Sequence, residues 1–141
     1  MVMLAVAAGG LIGALLRFWT GEWLQSFSWN TGAGSYPLGT LIINLTGCFI
    51  LGWLLSSAAV RRRLPEPVRL GIGTGMIGSF TTFSTFSVET LALVNGGAWL
   101  SAASYVLASL TGGWALAVCG AHIARMQDRM RETRVAKERR A

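Results

Sequence analysis

The sequence predicts an all-α membrane protein with four transmembrane helices, and three observations carry that prediction. Hydrophobic residues make up 52% of the chain and charged residues 13%, whereas a soluble domain carries about 25% charged residues. The charges are segregated: Glu22 is the only one between Arg17 and Arg61, and Glu89 the only one between Arg69 and Arg125. Apolar stretches of that length fit spans of about 20 residues each. The 141 residues suffice for one domain.

The first span is expected over residues 2–24. Val2 to Leu16 has no basic leading region and runs into Arg17 and Trp19 without a small-residue cleavage pattern. It therefore reads as a retained helix and not a signal peptide. Trp19 and Trp23 mark its interfacial end. Ser26 to Pro37 is rich in Gly, Ser, Asn and Pro and reads as a loop. The second span is expected over 38–60, followed by a hairpin from Arg61 to Pro67. The third covers 68–94, Asn95 to Gly97 turn tightly, and the fourth covers 98–122. Residues 1–123 then form the four-span domain. Residues 124–141 form a basic cytoplasmic tail, either a surface helix or disordered. Gly9 and Gly13 make a GxxxG pair, and Gly39, Gly47 and Gly52 recur in the second span. Such small residues let helix backbones approach closely in lipid.

The net charge of +6 does not point to nucleic acid. With four spans, both termini and the 61–69 loop share one side. That side carries eleven Lys and Arg, and the other two loops carry none. The positive-inside rule then places the termini in the cytoplasm of a multi-pass cell-membrane protein. Basic clusters beside apolar spans also contact anionic membrane lipid. Cys48 and Cys119 lie within spans and read as small packing residues, not a disulfide or metal pair. His122 reads as a solvated interfacial residue. No nucleophile–base pair or metal cluster appears, so no enzyme chemistry is expected.

Two features do not suit a lipid-facing surface. Asn44 sits in the middle of the second span, with Thr40 and Cys48 four residues either side on the same face. An amide at that depth needs partners. A helix–helix hydrogen bond and a water-filled path both answer the need. In the third span, Gly71, Gly73, Gly75 and Gly78 lead into Ser79-Phe80-Thr81-Thr82-Phe83-Ser84-Thr85-Phe86-Ser87. Glycine loosens a helix, and hydroxyls satisfy backbone groups freed at a break. A break is therefore expected around Gly78 to Thr81, and broken spans are where transport proteins hold ions. Phe83 and Phe86 share a helical face. Their ring edges, which carry partial positive charge, would sit beside hydroxyls and the Asn44 amide. Such a lining replaces the water around a small anion without a full cation to trap it.

The sequence resembles the Fluc/CrcB family of small bacterial fluoride channels. The matching residues are Gly9-Gly10-x-x-Gly13-Ala14-x-x-Arg17-Phe18, Gly39-Thr40-Leu41-x-x-Asn44-x-x-Gly47-x-Phe49-x-x-Gly52 and Gly78-x-Phe80-Thr81-Thr82-Phe83-Ser84-Thr85-Phe86-Ser87. With the four-span order, the resemblance covers residues 2 to about 121. It implies an antiparallel dimer with two narrow pores that passively export fluoride and lower its cytoplasmic concentration. It implies a structural sodium ion, not transported, held at the dimer centre by the backbone carbonyls of Gly78 and Thr81. The anion pore would be lined by Asn44, Phe83 and Phe86, with hydroxyls from Ser84 and Thr85. Tyr105 and Ser109 fit the family's line of polar groups in the fourth span. Glu89 resembles a family acid near the pore end, or else is an interfacial or ion-paired carboxylate.

Three departures stand out. Ser79 replaces a more usual glycine. Gly113 and Ala117 continue the line from Tyr105 and Ser109 without a hydroxyl, and Thr111 lies off it. The third is charge bias, since a chain that inserts both ways needs balanced loops. The partner is thus either a second copy or a homologous subunit of opposite orientation. Two other readings make different demands on the sequence. A small multidrug-type proton-coupled exporter would need an embedded carboxylate, for which Glu89 is the candidate. A non-transporting assembly subunit would not need Asn44 or the 78–87 motif. A topology reporter fused to the C-terminus, with the chain expressed alone, should report mainly the cytoplasmic side. A near-equal split between the two sides would show that the charge bias does not orient the chain.

Overall fold

A computed structural model of the chain describes residues 1–25, 29–30 and 35–138. The elements in order are helix α1 (Val2–Gln25), strands β1 (Trp29–Asn30) and β2 (Ser35–Tyr36), then α2 (Leu38–Ser56), α3 (Ala58–Arg63) and α4 (Glu66–Leu70). A π-helical segment (Gly71–Ile77) leads into α5 (Gly78–Phe80), followed by α6 (Phe83–Asn95) and α7 (Trp99–Glu138). The two short strands pair antiparallel, Trp29 with Tyr36 and Asn30 with Ser35. The rest of the loop expected over 26–37 lies largely outside the described residues. Among the described residues, four helical stretches are long and apolar enough to cross a membrane: Val2–Leu24, Leu38–Ser56, Glu66–Asn95 and Trp99–Ala136.

The helices pack as two pairs. α1 lies along the π-helical segment and α5, and α2 lies along α7. Glycine makes both approaches possible. A Cβ on Gly13 would collide with the carbonyl of Met76, and a Cβ on Gly52 with the carbonyl of Ala117. Close backbone approach gives dispersion contacts where lipid offers no hydrophobic driving force between helices. Large apolar side chains such as Leu4, Leu11, Phe18, Trp19 and Trp114 face outward, as in a lipid-facing bundle.

The small interior sits at the α6–α7 end. Leu93, Ala98, Ala102 and a fully buried Tyr105 form it, with Phe86 and Tyr36 against them. The turn there is a Schellman motif. Ala98 N–H donates to the Leu93 carbonyl (2.9 Å) and Gly97 N–H to that of Val94 (3.0 Å). Gly97 has φ of 76°, a conformation that glycine adopts at no steric cost.

Two element ends differ from the expected spans. Helix α2 stops at Ser56, because Ser57 turns extended and caps a separate helix, its Oγ accepting from Val60 N–H (3.3 Å). The fourth helix does not end near His122. It runs unbroken to Glu138, so residues 124–138 of the expected tail continue the helix. No Gly or Pro follows Gly120, and the extension is docked. Asp128 accepts from the backbone N–H groups of Ala58 (2.6 Å) and Ala59 (3.1 Å), the first turn of α3. Trp53 Nε1 donates to Gln127 (3.1 Å), and Arg62 pairs with Glu132 (3.2 Å). Ser57 and Asp128 together satisfy three free donors of a six-residue helix. Replacing a capping carboxylate costs about 1 kcal/mol. Asp128→Ala should therefore expose residues beyond Gln127 to trypsin at Arg131 and Arg134 while the four spans stay intact, as read by limited proteolysis in detergent.

Candidate functional site

The helical course of the third span is interrupted at two residues. Thr81 (φ −77°, ψ 156°) and Thr82 (φ −145°, ψ 124°) are both extended. The interruption falls after Gly78–Phe80, which remain helical, so it lies one step beyond the glycines. Its cause is a side chain on another helix. Asn44 of α2 donates Nδ2–H to the Thr82 carbonyl (2.9 Å) and accepts from Thr82 N–H at Oδ1 (2.8 Å). The amide thus stands in for a neighbouring peptide. Thr82 is buried, and an unpaired backbone group there would cost about 1–3 kcal/mol. Gly47, one turn along α2, leaves room for the methyl group of Thr81.

This arrangement frees two carbonyls. In a continuous helix, Thr82 N–H would bond the Gly78 carbonyl and Thr85 N–H that of Thr81. Here Thr82 N–H goes to Asn44, and Thr85 N–H goes to Thr82 Oγ1 (3.2 Å), which caps α6. Among the described residues, Gly78 O keeps only a long contact from Thr81 Oγ1 (3.4 Å). Thr82 Oγ1 also bonds Thr85 Oγ1 (3.0 Å) and Ser84 Oγ (3.2 Å), so the expected hydroxyls of Ser84 and Thr85 belong to the cap of α6.

Most of the expected site residues line one of two cavities that share Thr82 as a wall, whereas Ser84 and Tyr105 line neither. One, of about 330 Å³, is lined by Asn44, Thr81, Phe83, Phe86 and Ser109, among others. The Phe83 and Phe86 ring centroids lie 5.8 Å apart. Ser109 Oγ is buried without a hydrogen-bond partner. Asn44 spends one N–H on Thr82 and keeps its second. The cavity therefore holds unspent donors and ring carbons, with no charged group among its lining residues. Phe83 is 80% exposed in the single chain, and Gly78 is exposed.

The other cavity, of about 390 Å³, has a mixed lining that includes Arg17, Glu22, Thr40, Thr85 and Glu89. Thr40 Oγ1 donates to one oxygen of Glu89 and Tyr105 OH to the other, both at 2.8 Å. Glu89 is thus held by hydroxyls from α2 and α7, and no ion pair to it appears among the described residues. Tyr105, expected along the anion line with Ser109, has its hydroxyl on Glu89 and its ring against Phe86 (centroids 5.0 Å apart) and Tyr36 (5.9 Å). Gly113 and Ala117 face α2. Gly113 is buried against Cys48, and Ala117 lies under Gly52, which accounts for small residues there. Cys48 and Cys119 are both free. Cys48 packs at that interface, whereas Cys119 is exposed on the outer face of α7 instead of packed.

Thr40 and Thr82 were legible as motif residues but not as partners of Glu89 and Asn44. Thr40 lies one turn before Asn44 on the same face, and Glu89 is the lone acid of its span, so each pointed to an unmet need.

The family model described as CrcB-like protein, Camphor Resistance (CrcB) matches residues 4–121. The chain belongs to the CrcB family. Curated members of similar sequence include a protein named fluoride-specific ion channel FluC from Oceanobacillus iheyensis, 48% identical over 122 residues, covering 86% of this chain and 90% of that one. Fluoride-specific ion channel FluC 1 of Bacillus thuringiensis is 49% identical over 113 residues, 80% of each chain. Fluoride-specific ion channel FluC 2 of Listeria monocytogenes is 47% identical over 113 residues, covering 80% of this chain and 82% of that one. Like its family, this CrcB protein is a multi-pass membrane protein and not an enzyme. The CrcB match includes every residue of both cavities and stops short of the docked part of α7.

Asn44→Ala in this CrcB protein leaves the buried Thr82 N–H without its partner and takes one bond from the Thr82 carbonyl, which still accepts the first bond of α6. The expected loss is on the order of 3 kcal/mol, read as a lower thermal unfolding midpoint in detergent. An unchanged midpoint would mean that water or a rearranged helix replaces the amide.

Proposed function

We propose that this chain is a subunit of a fluoride-selective channel that passes fluoride passively out of the cell. The carrying observation is the uncharged cavity between Asn44, Phe83, Phe86 and Ser109, with a buried hydroxyl that has no protein partner. Fluoride is small and a strong hydrogen-bond acceptor. The Ser109 hydroxyl and the spare Asn44 N–H are suited to receive it. Ring edges of Phe83 and Phe86 supply weak positive charge that neither repels the ion nor holds it fast. The family members named as fluoride-specific channels support the same reading.

The proposed unit is an antiparallel pair, of two copies or of this chain with a homologous subunit of opposite orientation. The exposed Phe83 and Gly78 support this, since an aromatic wall and a freed carbonyl both lack an opposing surface in one chain. The interruption at Thr81–Thr82 serves as the functional break of the third span. The carbonyls of Gly78 and Thr81 fit a sodium ion, because hard oxygen donors are what that cation takes at unwound backbone. When bound, the ion supplies charge that fixes two such backbones against each other. A proton-coupled exporter would have to work through Glu89, whose two oxygens are already engaged by Thr40 and Tyr105. It is set aside.

The test is ion efflux from liposomes containing the purified protein, with its partner subunit if one is required. A fluoride gradient should collapse and a chloride gradient should persist. Equal chloride flux would refute the proposal. Phe83→Ile should lower fluoride flux at least about tenfold, the equivalent of losing a 1.4 kcal/mol contact, without loss of assembly. Replacing sodium throughout purification should reduce flux through loss of the assembled pair.

A further inference from the structure

We propose a binding site for one anionic phospholipid in the groove between α2 and the start of the third span. The groove is a cavity of about 560 Å³. Its walls include Leu54 and Leu55 on one side and Leu70 and Gly73 on the other, and Arg61 and Arg69 stand at its basic end. From Leu70 to Gly78 it follows eight residues, at most about 12 Å at α-helical rise, most of them in the wider π-helical segment. That is close to the ~15 Å of one leaflet's half of the ~30 Å hydrocarbon core.

Charge selects the occupant. Arg62 pairs with Glu132, but Arg61 and Arg69 have no hydrogen bond or ion pair among the described residues. Both are brought to one mouth by separate short helices, α3 and α4. Two unpaired guanidinium groups over an apolar trench suit a phosphodiester headgroup with its acyl chain below. A second copy of the chain is a poorer match. A parallel copy would bring more arginines to this end. An antiparallel copy would bring the loops at 26–36 and 95–98, which contain no acid, the nearest being Glu22. The groove meets the cavity of the proposed pore at Leu51 and Gly78, and its basic end, at Arg61 and Arg69, lies outside that cavity.

The experiment is native mass spectrometry of the full chain in detergent with phosphatidylglycerol or phosphatidylcholine of identical acyl chains. One phosphatidylglycerol per chain should survive and phosphatidylcholine should not. The double variant Arg61→Gln/Arg69→Gln should weaken retention about 30-fold, from roughly 1 kcal/mol per arginine. Arg125→Gln, an equal kind of charge loss outside the groove, should leave retention unchanged. Leu55→Trp, at an exposed wall position, should also reduce retention with both arginines intact. Inorganic phosphate should not displace the lipid. Unchanged retention in the double variant or in Leu55→Trp would overturn the site. So would equal loss in Arg125→Gln, or displacement by phosphate alone. If the double variant loses its paired species along with the lipid, the groove belongs to a protein interface and the proposal fails.

Discussion

The Asn44 side chain bonded to both polar groups of the Thr82 peptide is the contact on which the functional region depends. A backbone that leaves helical geometry within an apolar span has to find a donor and an acceptor without water. One amide supplies both. From that single substitution of a side chain for a helical turn the rest follows. Thr82 can turn extended and cap α6 through its hydroxyl. The carbonyls of Gly78 and Thr81 lose their helical donors. Phe83 and Phe86 stand in the first turn of a new helix that Thr82 caps. Gly47 is required beside Asn44 because any larger residue would strike Thr81.

A second economy of polar groups operates one turn away. A carboxylate in an apolar span is costly unless its oxygens are engaged. Glu89 meets that need with two neutral hydroxyls, from Thr40 and Tyr105. The result joins α2, α6 and α7 at one point. It also fixes the Tyr105 ring against Phe86, so the acid, the tyrosine and the aromatic wall are positioned as one unit.

Much of the fold was legible because its signals are local. Four apolar stretches, their length and the Asn95–Gly97 turn are all properties of neighbouring residues. The matched motifs placed the chain in its family. What the sequence did not disclose depends on residues distant along the chain. The reach of α7 follows from Asp128 meeting the first turn of α3, some seventy residues earlier. Gly75 and Gly78 suggested where the third span would loosen, but the interruption settles at Thr81–Thr82, where Asn44 can reach. Tyr105 shares a helical line with Ser109. Yet only the position of Glu89 decides that its hydroxyl turns to a carboxylate while that of Ser109 stays unspent. The charge at Glu89 signalled an unmet need without naming what would meet it.

Thr82 forms part of the wall of both cavities, and that wall is bolted on every side. Its N–H, carbonyl and hydroxyl are all engaged, by Asn44, Thr85 and Ser84. A hinge needs bonds that can be exchanged cheaply, and here each lost bond in an apolar setting costs on the order of 1–3 kcal/mol. The partition between the cavities therefore has the mechanics of a fixed wall and not of a swinging door. In the proposed channel, discrimination among anions beside it would rest on the size and hydration of the ion, since the wall itself has little freedom to adapt.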